Sequence, residues 1–162
     1  MYDKLVFAKV KAMLGGKVKA MLTGSAPIDG KVLNFLKVCF CCPIVEGYGM
    51  TETCGGSLTT YPNDAEIGHV GGPLHNVKLR LRDIPEMNYL HTDPNPRGEV
   101  CFFGSSIMTG YFKNEEKTHE AFTDAATNTI QTGWMHSGDV GMVLPNGAVK
   151  IIDRAKNIFK LS

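Results

Sequence analysis

Val18-Lys19-Ala20-Met21-Leu22-Thr23-Gly24-Ser25-Ala26-Pro27 and, sixteen residues further on, Pro43-Ile44-Val45-Glu46-Gly47-Tyr48-Gly49 frame the part of the chain that decides the fold. Val18 to Leu22 is a short apolar-rich strand, and Thr23 to Pro27 breaks it with small residues and a proline. Asp29 can accept from the free N–H groups of a helix running to about Phe40. Val32, Leu36, Cys39 and Phe40 mark the expected inner face of that helix. Pro43 to Glu46 is a second strand, ending in a loop with Gly47 and Gly49. Strand, helix and strand in that order form a crossover, which favours a parallel pair within an α/β sheet.

Working outward, residues 3–14 have Val6, Val10 and Met13 at helical spacing, and Gly15-Gly16 supplies a stop. The character changes after about Tyr61. Val77-Lys78-Leu79-Arg80-Leu81-Arg82 alternates strictly, as a strand with one wet face does. Gly98 to Phe103, Val140 to Leu144 and Ala148 to Asp153 are further strand candidates, the last after the turn Leu144-Pro145-Asn146-Gly147. One short helix interrupts them, with Asn114 as its cap and Glu115 and Glu116 in its first turn. The fold class expected is α/β: a partial parallel α/β unit followed by a mostly antiparallel β-subdomain.

Composition narrows the function classes. A chain of 162 residues, 43% hydrophobic and 20% charged, reads as globular rather than disordered. A net charge of +1 gives no reason to expect nucleic acid or an anionic membrane as partner. No apolar run approaches the roughly 20 residues that span a bilayer, and Met1-Tyr2-Asp3-Lys4 does not open a secretion signal. The expected address is cytoplasmic. Cys39, Cys41, Cys42, Cys54 and Cys101 lack paired metal-ligand spacing and read as reduced thiols of a core.

Four segments carry chemistry. Glu46-Gly47-Tyr48-Gly49-Met50-Thr51-Glu52-Thr53 follows a strand, where ligands of parallel sheets bind. Tyr48 offers an aromatic face to a purine, Thr51 a hydroxyl to a phosphate, and Glu52 a hard oxygen to Mg²⁺, although an ordinary strand-to-turn segment with an exposed acid explains these residues as well. Gly24-Ser25-Ala26-Pro27 admits a nucleotide base against the backbone, although a plain strand-to-helix turn explains it as well. In Gly133-Trp134-Met135-His136-Ser137-Gly138-Asp139, the acid suits ribose hydroxyls, Trp134 suits core packing, and His136 reads as a packed or surface residue. Asp153 through Lys160 is either a basic ligand contact or a solvated cationic tail.

Together these segments resemble the acyl-adenylate-forming superfamily. Leu14-Gly15-Gly16-Lys17-Val18 ahead of Gly24 to Pro27, then Glu46 to Thr53, is similar to eukaryotic long-chain fatty acyl-CoA synthetases. So are Gly98-Glu99-Val100, Gly110-Tyr111, Trp134 to Asp139, and Ile151 through Ser162. The resemblance implies an enzyme that activates a fatty acid with ATP to acyl-AMP and passes the acyl group to coenzyme A. It implies that Gly24, Ser25, Ala26, Pro27 and Tyr48 hold the adenine, that Glu46, Gly47, Gly49 and Met50 also belong to the nucleotide site, and that Met50 and Cys54 to Gly56 border the acyl tunnel. Thr51 would contact the α-phosphate, Glu52 Mg²⁺, and Asp139 the ribose, with Arg154 in support. Lys156 would be the hinge between a large and a small domain.

The boundaries implied are 1–61 for the end of an AMP-binding α/β subdomain, 62–153 for a β-rich subdomain, and 154–162 for the hinge. Ser137 stands where threonine is usual, and Ala155 where a basic residue is frequent. The family's phosphate loop and lysine-bearing small domain are not in these 162 residues. The expectation is therefore a piece of a synthetase, inactive alone, with an exposed apolar edge and face. It would associate with endoplasmic reticulum or peroxisomal membranes through segments outside this stretch. Two other readings stand beside it: a non-catalytic nucleotide- or acyl-binding module, or partner of an intact synthetase; and an adenylating enzyme for aryl or amino acids.

Overall fold

The computed structural model describes residues 6–124, 129–130 and 133–154. Helix α1 is Ala8–Met13, stopped by Gly15 and Gly16, whose N–H groups reach Ala12 and Lys11 carbonyls. Strand β1, Met21–Thr23, leads to α2, Gly30–Phe40, and β2, Ile44–Tyr48. The Asp29 carboxylate caps α2 by accepting from Lys31 and Val32 N–H at 2.9 and 3.2 Å. β1 and β2 are parallel, Met21 opposite Ile44 and Thr23 opposite Glu46, as the crossover requires.

Two details differ from expectation. β1 starts at Met21 because only Met21 to Thr23 lie opposite β2. The buried face of α2 is set by Leu33 and Cys39, while Val32, Phe35 and Val38 are exposed. With Leu22 at 71% exposure, these side chains leave an apolar outer surface on this unit.

The first sheet continues past Tyr61. Strand β3, Leu58–Thr59, pairs antiparallel with β2, and β4, Gly72–Pro73, antiparallel with β3, giving the order β1-β2-β3-β4. Two-residue strands are too short for alternation to show in sequence. The second sheet is wholly antiparallel, in the order β10-β9-β6-β5, from β5 (Val77–Arg82), β6 (Arg97–Gly104), β9 (Met135–Val143) and β10 (Val149–Arg154). Between β6 and β9 lie α3, Glu115–Phe122, and the small ribbon β7, Thr123–Asp124, with β8, Thr129–Ile130. Asn114 caps α3 by accepting from Lys117 N–H at 3.0 Å.

The alternation of β5 has a different consequence from a wet face. Val77, Leu79 and Leu81 join the core, but Arg80 lies over the Trp134 ring at 4.6 Å and Arg82 pairs with Glu99 at 2.7 Å. The polar face is thus covered at Arg80 and Arg82 and stays exposed at Lys78. β9 also begins five residues before Val140, so Met135 to Asp139 belongs to a strand, irregular where its register with β6 shifts between Glu99 and Cys101.

Leu58 of the first sheet and Val77, Val100, Phe102, Met135 and Val149 of the second make one buried cluster, with Tyr48 and Met50 packed on it. Phe102 is fully buried, while Phe112 is 89% exposed. Phe102→Ala is therefore expected to lower unfolding stability by about 3–5 kcal/mol, against a few tenths for Phe112→Ala. Paired urea titrations check this, and equal effects of the two substitutions would place the core elsewhere.

Candidate functional site

The carboxyl ends of β1 and β2 lie side by side, and both run into small-residue loops. They can approach because Gly24 has no side chain: a Cβ there would stand 2.9 Å from the Gly47 carbonyl oxygen. Gly49 is tighter still, since a Cβ would lie 1.6 Å from the Gly55 oxygen. Between them is Tyr48. After Gly49 the chain turns through a short 3₁₀ segment, Thr51–Thr53, fixed by buried Thr53, whose hydroxyl accepts from Met50 N–H at 3.1 Å.

These loops and the second sheet enclose a cavity of about 580 Å³. Gly24, Ser25, Ala26 and Pro27 line it from β1, and Glu46, Gly47, Tyr48, Gly49 and Met50 from β2. Asp139 and Arg154 line it from β9 and β10. Residues more than a hundred positions apart thus share one wall. Thr51 and Glu52 stand on the turn just beyond the lining, Thr51 exposed. Lys156 lies outside the described residues.

One contact ties the two sides. The Tyr48 hydroxyl donates to Asp139 Oδ2 at 2.5 Å, and Arg154 Nε lies 3.6 Å from Asp139 Oδ1. Burial, and then the Asp139 carboxylate, push the Tyr48 phenol well above its ordinary range, so it remains a donor. The Tyr48 ring lies 6.0 Å from that of Phe102, so the core sets its plane. Arg154 is 77% exposed, and its pair with Asp139 contributes little stability. The Ser137 hydroxyl accepts from Asp139 N–H at 3.1 Å, the use for which threonine or serine would serve alike. Burial raises the Glu46 carboxyl, with His69 and Lys37 opposing.

Glu52 is held by the second half of the chain. Its Oε1 accepts from the Tyr111 hydroxyl at 2.5 Å, and its carbonyl from Met108 N–H at 2.8 Å.

The family model described as AMP-binding enzyme matches residues 1–112. The chain belongs to the AMP-binding enzyme family. It is 53% identical over 162 residues to fatty acyl-CoA synthetase A of Dictyostelium discoideum, covering 99% of this chain and 23% of that protein. To the peroxisomal long chain acyl-CoA synthetase 7 of Arabidopsis thaliana it is 48% identical over 162 residues, covering 99% of this chain and 22% of the relative. The chain thus spans under a quarter of the length of these relatives. Among solved structures it is similar to the A domain of carboxylic acid reductase from Segniliparus rugosus, in complex with AMP and a co-purified carboxylic acid. That match has a TM-score of 0.72 and 29% identity, over 95% of this chain and 22% of the other. The α/β class, with a parallel unit leading into an antiparallel sheet, is that of the adenylate-forming enzymes.

Two groups of this chain have partners that motif reading did not assign. Tyr111 is one; like Glu99, it enters the sequence reading only through the resemblance. Glu99 is the other: 5% exposed, it receives Arg82 Nη2 at 2.7 Å, His136 Nδ1 at 3.1 Å and Gly138 N–H at 3.0 Å. An acid inside the apolar run Gly98 to Phe103 was itself the available signal, because a buried charge has to be paired. Burial works to raise the Glu99 carboxyl, but His136, Arg82 and the Gly138 N–H together hold it below its ordinary value. His136 is accordingly a packed residue, its side chain 7% exposed.

Glu99, Cys101 and His136 place possible metal-ligand atoms within 4.8 Å of one another. They suit a cation poorly. Arg82 already neutralises Glu99, and burial followed by Glu99 pushes the Cys101 thiol up to about 12, far from the thiolate that metals take. The cysteines form no disulfide among the described residues, and Cys54 is exposed rather than part of a core.

The Tyr111 phenol is pushed from 10.0 up to about 12, first by its bond to Glu52 and then by burial. A raised folded pKa means the bond's contribution is complete below the unfolded phenol's value and is lost as pH rises through about 12. A ring-carbon NMR titration of Tyr111 is expected to show that midpoint in the parent protein and a fall toward 10.0 in Glu52→Gln. A midpoint indifferent to Glu52 contradicts the assignment.

Proposed function

We propose that this chain forms the nucleotide-binding half of the active site of a long-chain fatty acid–CoA ligase. The observation that carries this reading is the Tyr48–Asp139 hydrogen bond at 2.5 Å across a cavity walled by Gly24 to Pro27 and Glu46 to Met50. Adenine lies between the Gly24–Pro27 loop and the Tyr48 ring, where glycines leave the backbone bare. The Asp139 side chain has lone pairs beyond those facing Tyr48 and Arg154, and two ribose hydroxyls take them.

With ribose held there, the phosphates run toward the turn that carries Thr51 and Glu52. The Thr51 hydroxyl is exposed and donates to an α-phosphate oxygen. Glu52 fits a divalent cation, since its carboxylate accepts from the neutral Tyr111 hydroxyl and keeps further lone pairs for a metal. Mg²⁺ held there would supply charge neutralisation at the phosphates. The fatty-acid carboxylate attacks the α-phosphorus, the bond to pyrophosphate breaks, and acyl-AMP remains. The thiol of coenzyme A then attacks the acyl carbonyl, loses its proton and releases AMP. Donors already fixed around the α-phosphate stabilise the charge that develops there. Lys156 serves as the hinge between a large and a small domain. The identity to fatty acyl-CoA synthetases supports the fatty acyl substrate, and the neutral charge balance gives nucleic acid no part. No helix among the described residues is long and apolar enough to cross a membrane. The protein is placed in the cytoplasm, held at endoplasmic reticulum or peroxisomal membranes by other segments; the name of the Arabidopsis relative supports the peroxisome.

Fatty-acid-dependent exchange of labelled pyrophosphate into ATP by the intact protein tests the reaction. Binding of AMP without exchange would leave a nucleotide-binding module, and exchange with aryl acids alone would change the substrate class. Asp139→Ala is expected to weaken AMP about tenfold or more by calorimetry, and Tyr48→Phe by less, because the phenol only steadies the acid. Glu52→Gln is expected to slow exchange about a hundredfold while AMP affinity holds. Loss of AMP binding in that variant, with exchange intact at saturation, goes against the metal role.

A further inference from the structure

Among the described residues, Glu99 is the one buried carboxylate. An apolar side chain would fill such a site at no desolvation cost, so a buried acid calls for a reason beyond packing. Its partners supply one. Oε2 faces Arg82 of β5 and the His136 ring, and Oε1 accepts from the backbone N–H of Gly138. Gly138 has φ +72°, a conformation that turns its N–H out of the regular ladder between β6 and β9. The next residue is Asp139.

The carboxylate therefore grips the chain on both sides of Ser137, by the ring of His136 and by the N–H of Gly138. Ser137 completes the turn through Asp139 N–H at 3.1 Å. Two anchors then aim the Asp139 side chain into the cavity: this buried clamp from behind and the Tyr48 hydroxyl from the front. We infer that Glu99 is a positioning residue of the nucleotide site, which through Gly138 and His136 holds Asp139 for both ribose hydroxyls and so sets the preference for ribonucleotides over dideoxynucleotides. The inference rests on the reading of Asp139 as the ribose ligand. Glu99 itself touches no nucleotide. Its effect is on discrimination, whereas a residue that only supports the sheet would weaken every nucleotide alike.

Calorimetry of the purified protein with AMP and with 2′,3′-dideoxy-AMP separates these roles. The parent protein is expected to prefer AMP by about tenfold or more. Glu99→Gln should lose most of that preference by weakening AMP, with dideoxy-AMP affinity unchanged. Glu99→Asp keeps the charge for Arg82 but is one methylene too short for Gly138, so it should do the same even if Glu99→Gln does not fold. In an Asp139→Ala background, the Glu99 substitution should add no further loss for AMP. Equal weakening of both nucleotides, or an unchanged ratio, overturns the positioning role and leaves the site reading in place. A parent protein that binds both nucleotides equally overturns the ribose role of Asp139 and the inference with it.

Discussion

The cavity exists because two sheets share one apolar core. Leu58 of the first sheet packs with Val77, Val100, Phe102, Met135 and Val149 of the second, and Tyr48 and Met50 lean on the same cluster. Each such side chain contributes about 1.5–3 kcal/mol when fully buried, so separating the sheets would be costly. That constraint fixes the distance between the ends of β1 and β2 and the strands β9 and β10. Nothing in the loops alone could bring Tyr48 to Asp139. The hydrogen bond between them joins two groups whose strands that core holds together.

The opposite face of the second sheet works by charge rather than by apolar contact. Arg80 lies on Trp134, whose ring packs 5.6 Å from Phe103, and Arg82 neutralises Glu99. The strand residues that hold the core therefore alternate with residues that hold the polar turn before Asp139. A single sheet supports the site twice: one face sets the plane of Tyr48, and the other sets the approach of Asp139.

Much of this was legible in the residues. The Asp29 cap, the glycine stop after α1, the parallel crossover and the antiparallel second half follow from local chemistry and periodicity. The loops Gly24 to Pro27 and Glu46 to Met50 could be placed because ligands of parallel sheets lie at strand ends. What escaped depends on distance along the chain. The burial of Leu33 rather than Val32 is decided by what covers α2, and β3 and β4 exist only through their partners. Glu99 and His136 lie thirty-seven positions apart, and Tyr111 and Glu52 fifty-nine. No periodicity encodes such pairs. A buried acid and a lone histidine each called for a partner, yet neither could name the other.

The close approach of Gly49 to Gly55 has a further meaning for how this wall can vary. With the Gly55 oxygen only 1.6 Å from where a Cβ would begin, position 49 cannot carry a side chain without rebuilding the turn that presents Thr51 and Glu52. The floor of the cavity is thus closed to gradual change at that point. Reshaping by substitution has to proceed through neighbours whose side chains already have room, Met50 on the core side and Ala26 on the rim. Backbone packing fixes one part of the wall and leaves variation to side chains elsewhere.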